Sequence, residues 1–136
     1  MKPPVLLTYN LAGERAGKIF LAAMRFKIRV NPIKPEEYGQ TLAALCGMEP
    51  PSGENYAGGG FSDEMLVMAN FPAGMATQFL NSFRRMGIAP VALKAVMTPV
   101  NSRWDSVTLH TELSKERAAI AKGMNPVHNG PPETQA

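Results

Sequence analysis

Apolar positions follow two rhythms along this chain. Continuous short runs occur at Val5-Leu6-Leu7-Thr8-Tyr9 and at Met65-Leu66-Val67-Met68-Ala69, and each is closed by an asparagine, Asn10 and Asn70. Runs of that length without alternation predict strands buried on both faces. A helical spacing follows each run: Ile19, Phe20, Ala23 and Met24 share one predicted face, as do Met75, Phe79, Phe83 and Met86. Ile28-Arg29-Val30-Asn31 alternates as a half-exposed strand does, and 91–97 supplies a fourth strand. Pro35 with Glu36 and Glu37 predicts a helix start, with proline in the first turn and acids at the positive dipole end. Tyr38, Leu42 and Leu45 continue that helix; Gly47 predicts its stop, as Gly87 does for the helix after the third strand. A last helix is expected from near Asp105, with Leu109, Leu113 and Ile120 as its apolar stripe and Glu116 unexplained within it.

The order is βαβα twice, as repeats 5–47 and 63–122 of a single domain spanning 1–122. Between them, 48–62 holds two prolines and four glycines and reads as a flexible connection. The tail 123–136 is rich in Pro, Gly and Asn and is expected to be disordered. A shift of 60 positions superposes Leu6 on Leu66, Asn10 on Asn70, Ala16 on Ala76, Arg25 on Arg85, Ile28 on Ile88 and Lys34 on Lys94, with no gap. That is the mark of an internal repeat.

Alternating strands and helices predict an α/β fold, a four-stranded sheet with helices on both faces. Pro32 and Pro90 send the second and fourth strands to the edges, since proline lacks a ladder donor. Lys27 and Arg29 add the charge that protects an edge. Two layouts satisfy this. A parallel doubly wound sheet of order 2-1-3-4 is preferred, because helices follow every strand. The alternative is a ferredoxin-like α+β arrangement, antiparallel with order 4-1-3-2.

Composition narrows the function classes more than it names one. The 136 residues are 45% hydrophobic and 18% charged, an ordinary globular balance, and long enough for a core without staples. The net charge of +3 is spread along the chain rather than gathered into a basic face, which disfavours nucleic acid. The basic stretch 25–29 and the pair Arg84-Arg85 could touch phosphates, but Arg25 and Arg85 also end helices, where cations complement the dipole. One cysteine excludes a disulfide framework, and with two histidines it leaves no metal-ligand spacing, so no metal or cofactor is expected. No signal-peptide pattern opens the chain, and no apolar run reaches membrane-spanning length. With a lone Cys46 suited to a reducing compartment, the expectation is a cytoplasmic protein with no membrane partner.

Five residues are candidates for ligand binding. Asn10 and Asn70 stand where strands give way to helices, the place where open α/β sheets bind ligands; the competing role is helix N-capping. Thr98, Asn101 and Trp104 form a polar loop with one indole before the last helix; the competing role is a turn after Pro99, with Trp104 stapled to the body. Cys46 reads as a packing residue. His110, beside the last helix's stripe, could serve as a base but has no evident partner, and His128 in the tail reads as solvated. Gly58-Gly59-Gly60 lacks the Lys-Ser/Thr ending of a phosphate loop.

The stretches FSDEMLVMANF, LNSFRRMGIAPVALKAVMTPVNSRW and ELSKER resemble the small bacterial domain-of-unknown-function family 3783. The resemblance runs from about residue 5 to residue 120 and is most specific from Glu64 to Trp104. Where that family tends to be acidic in the middle connection, this chain carries its glycine run. The family has no established activity, so the resemblance implies a single domain and transfers no site residue. Without a nucleophile–base pair, paired carboxylates or metal spacing, the expected function is a non-catalytic module that senses an unknown small molecule or binds a protein partner, with a homodimer possible. The alternative is an enzyme or small-molecule binder using the crevice at the carboxyl ends of the central strands.

Overall fold

The computed structural model describes residues 2–121. Each half runs strand, helix, strand, 3₁₀ turn, helix. The first comprises β1 (Val5–Tyr9), α1 (Gly13–Arg25), β2 (Arg29–Ile33), a 3₁₀ turn over Pro35–Glu37 and α2 (Leu42–Leu45). The second comprises β3 (Met65–Ala69), α3 (Met75–Arg85), β4 (Leu93–Val96), a 3₁₀ turn over Asn101–Arg103 and α4 (Ser106–Ala121). The expected tail 123–136, with His128, lies outside the described residues.

The four strands form one sheet of order β2-β1-β3-β4. The expected order is present, but the sheet is mixed rather than parallel, and it is not the ferredoxin-like order. β1 pairs with β2 and β3 with β4 in parallel, while β1 and β3 pair antiparallel, with Val5 opposite Ala69, Leu7 opposite Val67 and Tyr9 opposite Met65. Right-handed crossovers supply the physical reason. The two βαβ units step outward in opposite directions from the sheet centre. Were β1 and β3 parallel, right-handed connections would put α1 and α3 on opposite faces. Reversing β3 puts both on one face, where Ile19, Ala22 and Ala23 of α1 join Phe79 and Phe83 of α3 over Leu6, Leu66 and Met68. The other face of β1 and β3 packs on α2 and α4 through Leu42, Leu45, Leu109 and Leu113. Every residue of β1 and β3 is buried, as their unbroken apolar runs require. Pro32 lies within edge strand β2.

Local chemistry explains the helix ends. After α1, Ile28 N–H donates to the Ala23 carbonyl and Lys27 N–H to that of Met24, with Lys27 left-handed at φ 58°. After α3, Ile88 N–H donates to Phe83 and Gly87 N–H to Arg84, with Gly87 at φ 70°. Both are Schellman closures whose following isoleucine is buried. The two halves differ beyond that point. Val5 pairs with Arg29 but Met65 with Leu93, so β4 begins four residues later relative to its neighbour (28 against 24). Lys34 therefore follows β2 while Lys94 lies inside β4.

Three helix expectations change. On α1 the buried stripe is Ile19, Ala22 and Ala23, and Phe20 and Met24 are exposed. The helix expected from Pro35 is two pieces, broken at 38–41, where Ser106 N–H donates to the Tyr38 carbonyl and Thr41 caps α2 by accepting from Ala44 N–H. Ile120 on the last turn of α4 is exposed, so the buried stripe of that helix is Leu109 and Leu113. Segment 48–62 has neither helix nor strand, yet Ser52 exchanges hydrogen bonds with the Gln40 amide and Tyr56 N–H donates to the Glu36 carbonyl.

Candidate functional site

Strand ends place the five candidates in separate surroundings. Since β1 and β3 run antiparallel, their carboxyl ends lie at opposite ends of the sheet's strands, and no single crevice joins Asn10 to Asn70. Neither asparagine caps a helix: the residue before α1 is Ala12 and the one before α3 is Gly74, neither with a side-chain cap. Both asparagines instead take the left-handed conformation, φ 61° in each, which Asn tolerates better than other non-glycine residues. Asn70 makes one long contact, Nδ2 to the Pro3 carbonyl at 3.5 Å. Thr98 and Asn101 bond each other. Asn101 Oδ1 accepts from Thr98 N–H at 2.7 Å, Thr98 Oγ1 accepts from Asn101 N–H at 3.1 Å, and Asn101 Nδ2 reaches the Val96 carbonyl at 3.2 Å. Asn101 is wholly buried, so this loop is a self-satisfied turn. Trp104 packs partly against the core beneath α4, next to Asp105, whose carboxylate caps that helix by accepting from Thr108 N–H.

Asn10 belongs to a different assembly, one that the sequence did not announce. Its Nδ2 donates to the carbonyls of Phe61 and Asp63 at 3.1 and 2.9 Å, and its Oδ1 accepts weakly from the Tyr38 hydroxyl at 3.4 Å. The Phe61 ring so held stacks on Tyr38 with centroids 4.6 Å apart, and on the His110 imidazole at 4.1 Å and 7° between planes. His110 Nε2 bonds Asp63 Oδ2 at 2.8 Å; the histidine side chain is 18% exposed and the aspartate 63%. Beneath them, Tyr9 and Ser106 share a buried hydroxyl pair at 2.7 Å. Burial pushes the Tyr9 phenol up strongly against the lowering effect of that bond, and burial raises Tyr38 as well. Neither phenol ionises near neutrality.

Asp63 also opens onto a cleft of about 410 Å3 between the amino ends of β3 and β4 and α4. Pro90, Ala92 and Leu93 form its apolar side; Asp63, Glu64, Ser114 and Arg117 carry its polar groups. Glu64 is already neutralised. Arg15 Nε donates to both its oxygens at 2.8 and 3.0 Å and Nη2 adds a third bond at 2.9 Å, while the same guanidinium reaches the Ala89 carbonyl at 2.7 Å. This fork ties α1 to the start of β3 and to the turn before β4, and so shapes one wall. Arg117 has no carboxylate partner among the described residues. Lys94 on β4 has its ammonium bonded to the Val91 carbonyl at 3.0 Å, and burial, with a smaller effect of the Arg117 charge, lowers its pKa.

The arrangement can fix an imidazole by a carboxylate, which sets the tautomer and ring plane. It can also offer an ammonium partner at Asp63 and an anion partner at Arg117. No hydroxyl or thiol bonds the His110 ring among the described residues, and no group of three His, Cys, Asp or Glu side chains there could hold a metal. Cys46 is buried against Met97, its thiol pushed up to about 11 by burial, in keeping with a packing role. No helix among the described residues is long and apolar enough to cross a membrane. Sequence reasoning missed Asp63, Glu64, Phe61, Ser114 and Arg117. The legible signal was the spacing of His110, Ser114 and Arg117, which places them on one face of α4. Their partners across the chain had no local signature.

The family model of a domain of unknown function (DUF3783) matches residues 64–120, and over that stretch the chain resembles this family. The matched segment runs from Glu64 through α4 and so contains His110, Ser114 and Arg117, but not Asn10, Phe61 or Asp63. No curated protein and no solved structure matches the chain. No function is established by these comparisons.

Proposed function

We propose that the chain is a non-catalytic sensing module, and that the cleft between the β3–β4 edge and α4 binds a small zwitterion of the α-amino-acid type. One observation carries this reading: an exposed carboxylate, Asp63, and a cation without a carboxylate partner among the described residues, Arg117, line one cleft with an apolar wall. A ligand ammonium would meet Oδ1 of Asp63, its carboxylate would meet Arg117, and its side chain would lie on Pro90, Ala92 and Leu93. A volume of about 410 Å3 falls within the roughly 300–1,000 Å3 usual for small-molecule sites. Amide NMR titration with a panel of amino acids, each compared with the acid lacking its amino group, tests the reading. Shifts should cluster at Asp63, Ser114 and Arg117 and vanish in Arg117→Gln. No shift at millimolar ligand, or equal binding by Arg117→Gln, would overturn it.

The oriented imidazole favours a second reading, general-base catalysis by His110. His110→Gln separates the two: a binding module keeps its ligand shifts, and any turnover found in the parent protein would disappear.

Two broader readings accompany the first. The chain is a duplicated unit, supported by the shared left-handed Asn10 and Asn70, the paired Schellman closures and a β1–β3 register symmetric about Leu7 and Val67. Its lone buried thiol suits a reducing compartment such as the cytoplasm.

A further inference from the structure

The outward face of α1 is apolar in a place where its counterpart is not. Phe20, Leu21 and Met24 are 48%, 54% and 55% exposed, and Gly13 and Gly17 continue their line toward the start of the helix. Sixty residues on, at the matching places of α3, stand Leu80, Asn81 and Arg84, with Thr77 where α1 has Gly17. α3 thus has the polar surface expected of a solvated helix, and α1 does not. Gly17 sharpens the contrast. It sits mid-helix, where glycine is less favourable than alanine, and a Cβ built on it would meet nothing within 4 Å. Nothing inside the fold asks for a glycine there.

We propose that this face is a two-fold interface with a second copy of the same chain, α1 packed antiparallel on α1 about a point between Phe20 and Leu21. The residue order is self-complementary about that point. Phe20 falls opposite Leu21 of the other copy, and Met24 falls opposite Gly17, whose bare backbone gives the thioether room. At the ends Glu14, which lies 3.6 Å from its own Lys18, comes level with Lys27 of the other copy, two residues past that helix's end and exposed, so each end of the pair brings an acid to a base. A two-fold contact requires this kind of pairing, in which a surface complements itself. α1 has 13 residues and is therefore about 20 Å long. Such a contact belongs to the small class of interfaces, that of weak, reversible association.

Sedimentation velocity of the full chain across a concentration series tests this. The parent protein should shift from monomer to dimer as concentration rises. The double variant Leu21→Asn, Met24→Arg, which installs the residues α3 carries, should keep its far-ultraviolet dichroism and weaken association by about tenfold or more. Glu14→Lys alone and Lys27→Glu alone should each weaken it about two- to fivefold, and combining them should recover it. A parent protein that stays monomeric at all concentrations overturns the proposal. So does a dimer that persists in the Leu21→Asn, Met24→Arg variant, which would place the contact on another surface, and so does a charge reversal that fails to recover.

Discussion

Asn10 and Asn70 share a backbone conformation but not a set of bonds, and glycine substitution separates the two contributions. Asn10→Gly and Asn70→Gly both preserve the left-handed φ of 61° without strain. Each also adds unfolded-chain freedom, so that cost cancels between them. What remains is hydrogen bonding. Asn10→Gly deletes two well-formed bonds, to the Phe61 and Asp63 carbonyls at 3.1 and 2.9 Å. At about 0.5–1.5 kcal/mol each, the difference in favour of Asn70→Gly should be about 1–3 kcal/mol, because Asn70 surrenders only a contact at 3.5 Å. For a chain of this size that separates the melting temperatures by about 3–12 °C. Alanine at either site should add about 1–2 kcal/mol of left-handed strain. Urea denaturation followed by circular dichroism gives the energies. The same Asn10→Gly protein should show an altered His110 ring resonance, because the Phe61 ring stacked on it loses its backbone tether. Equal losses in the two glycine variants would refute the assignment of these bonds, and a larger loss at Asn70 would invert it.

Arg15→Lys should rescue little of the loss caused by Arg15→Met, about 1–3 kcal/mol by denaturant unfolding, because an ammonium cannot form the fork on Glu64 and still reach the Ala89 carbonyl. Phe79→Ala should destabilise by about 3–5 kcal/mol in the same assay, since this wholly buried ring is met edge-on by Phe26, Phe71 and Phe83. The Cys46 thiol, raised by burial from 9.0 to about 11, binds its proton more tightly folded than unfolded. Stability should therefore fall as pH rises from 9.0 toward 11, and Cys46→Ala should flatten that fall in a pH series of unfolding curves. A chromogenic thiol reagent should react slowly at neutral pH until denaturant is added.

Resemblance and pattern alike came from local signals, and so did much of the architecture. The unbroken apolar runs at 5–9 and 65–69 identified two strands buried on both faces, and prolines 32 and 90 assigned the edges; two orders satisfied both, and the helix after every strand favoured β2-β1-β3-β4, the order present. Gly47 and Gly87 marked turns that need a positive φ, and both adopt it. Such features depend only on near neighbours in the chain, so a single sequence expresses them. The direction of β3 against β1 does not. It follows from both crossovers being right-handed and sharing one helical layer, a condition between elements some sixty residues apart. That reversal also undid the expected crevice, by sending the carboxyl ends of β1 and β3 to opposite ends of the sheet. The site that stands in its place joins Asn10 at the end of β1, Phe61 and Asp63 before β3, and His110 on α4. Hydrogen bonds and ring stacking between such distant positions leave no periodicity in the sequence. The sequence by itself determined the order of strands and helices and the burial of β1 and β3 on both faces; only the packing of one half against the other decided which side of α1 is covered and which polar side chains meet.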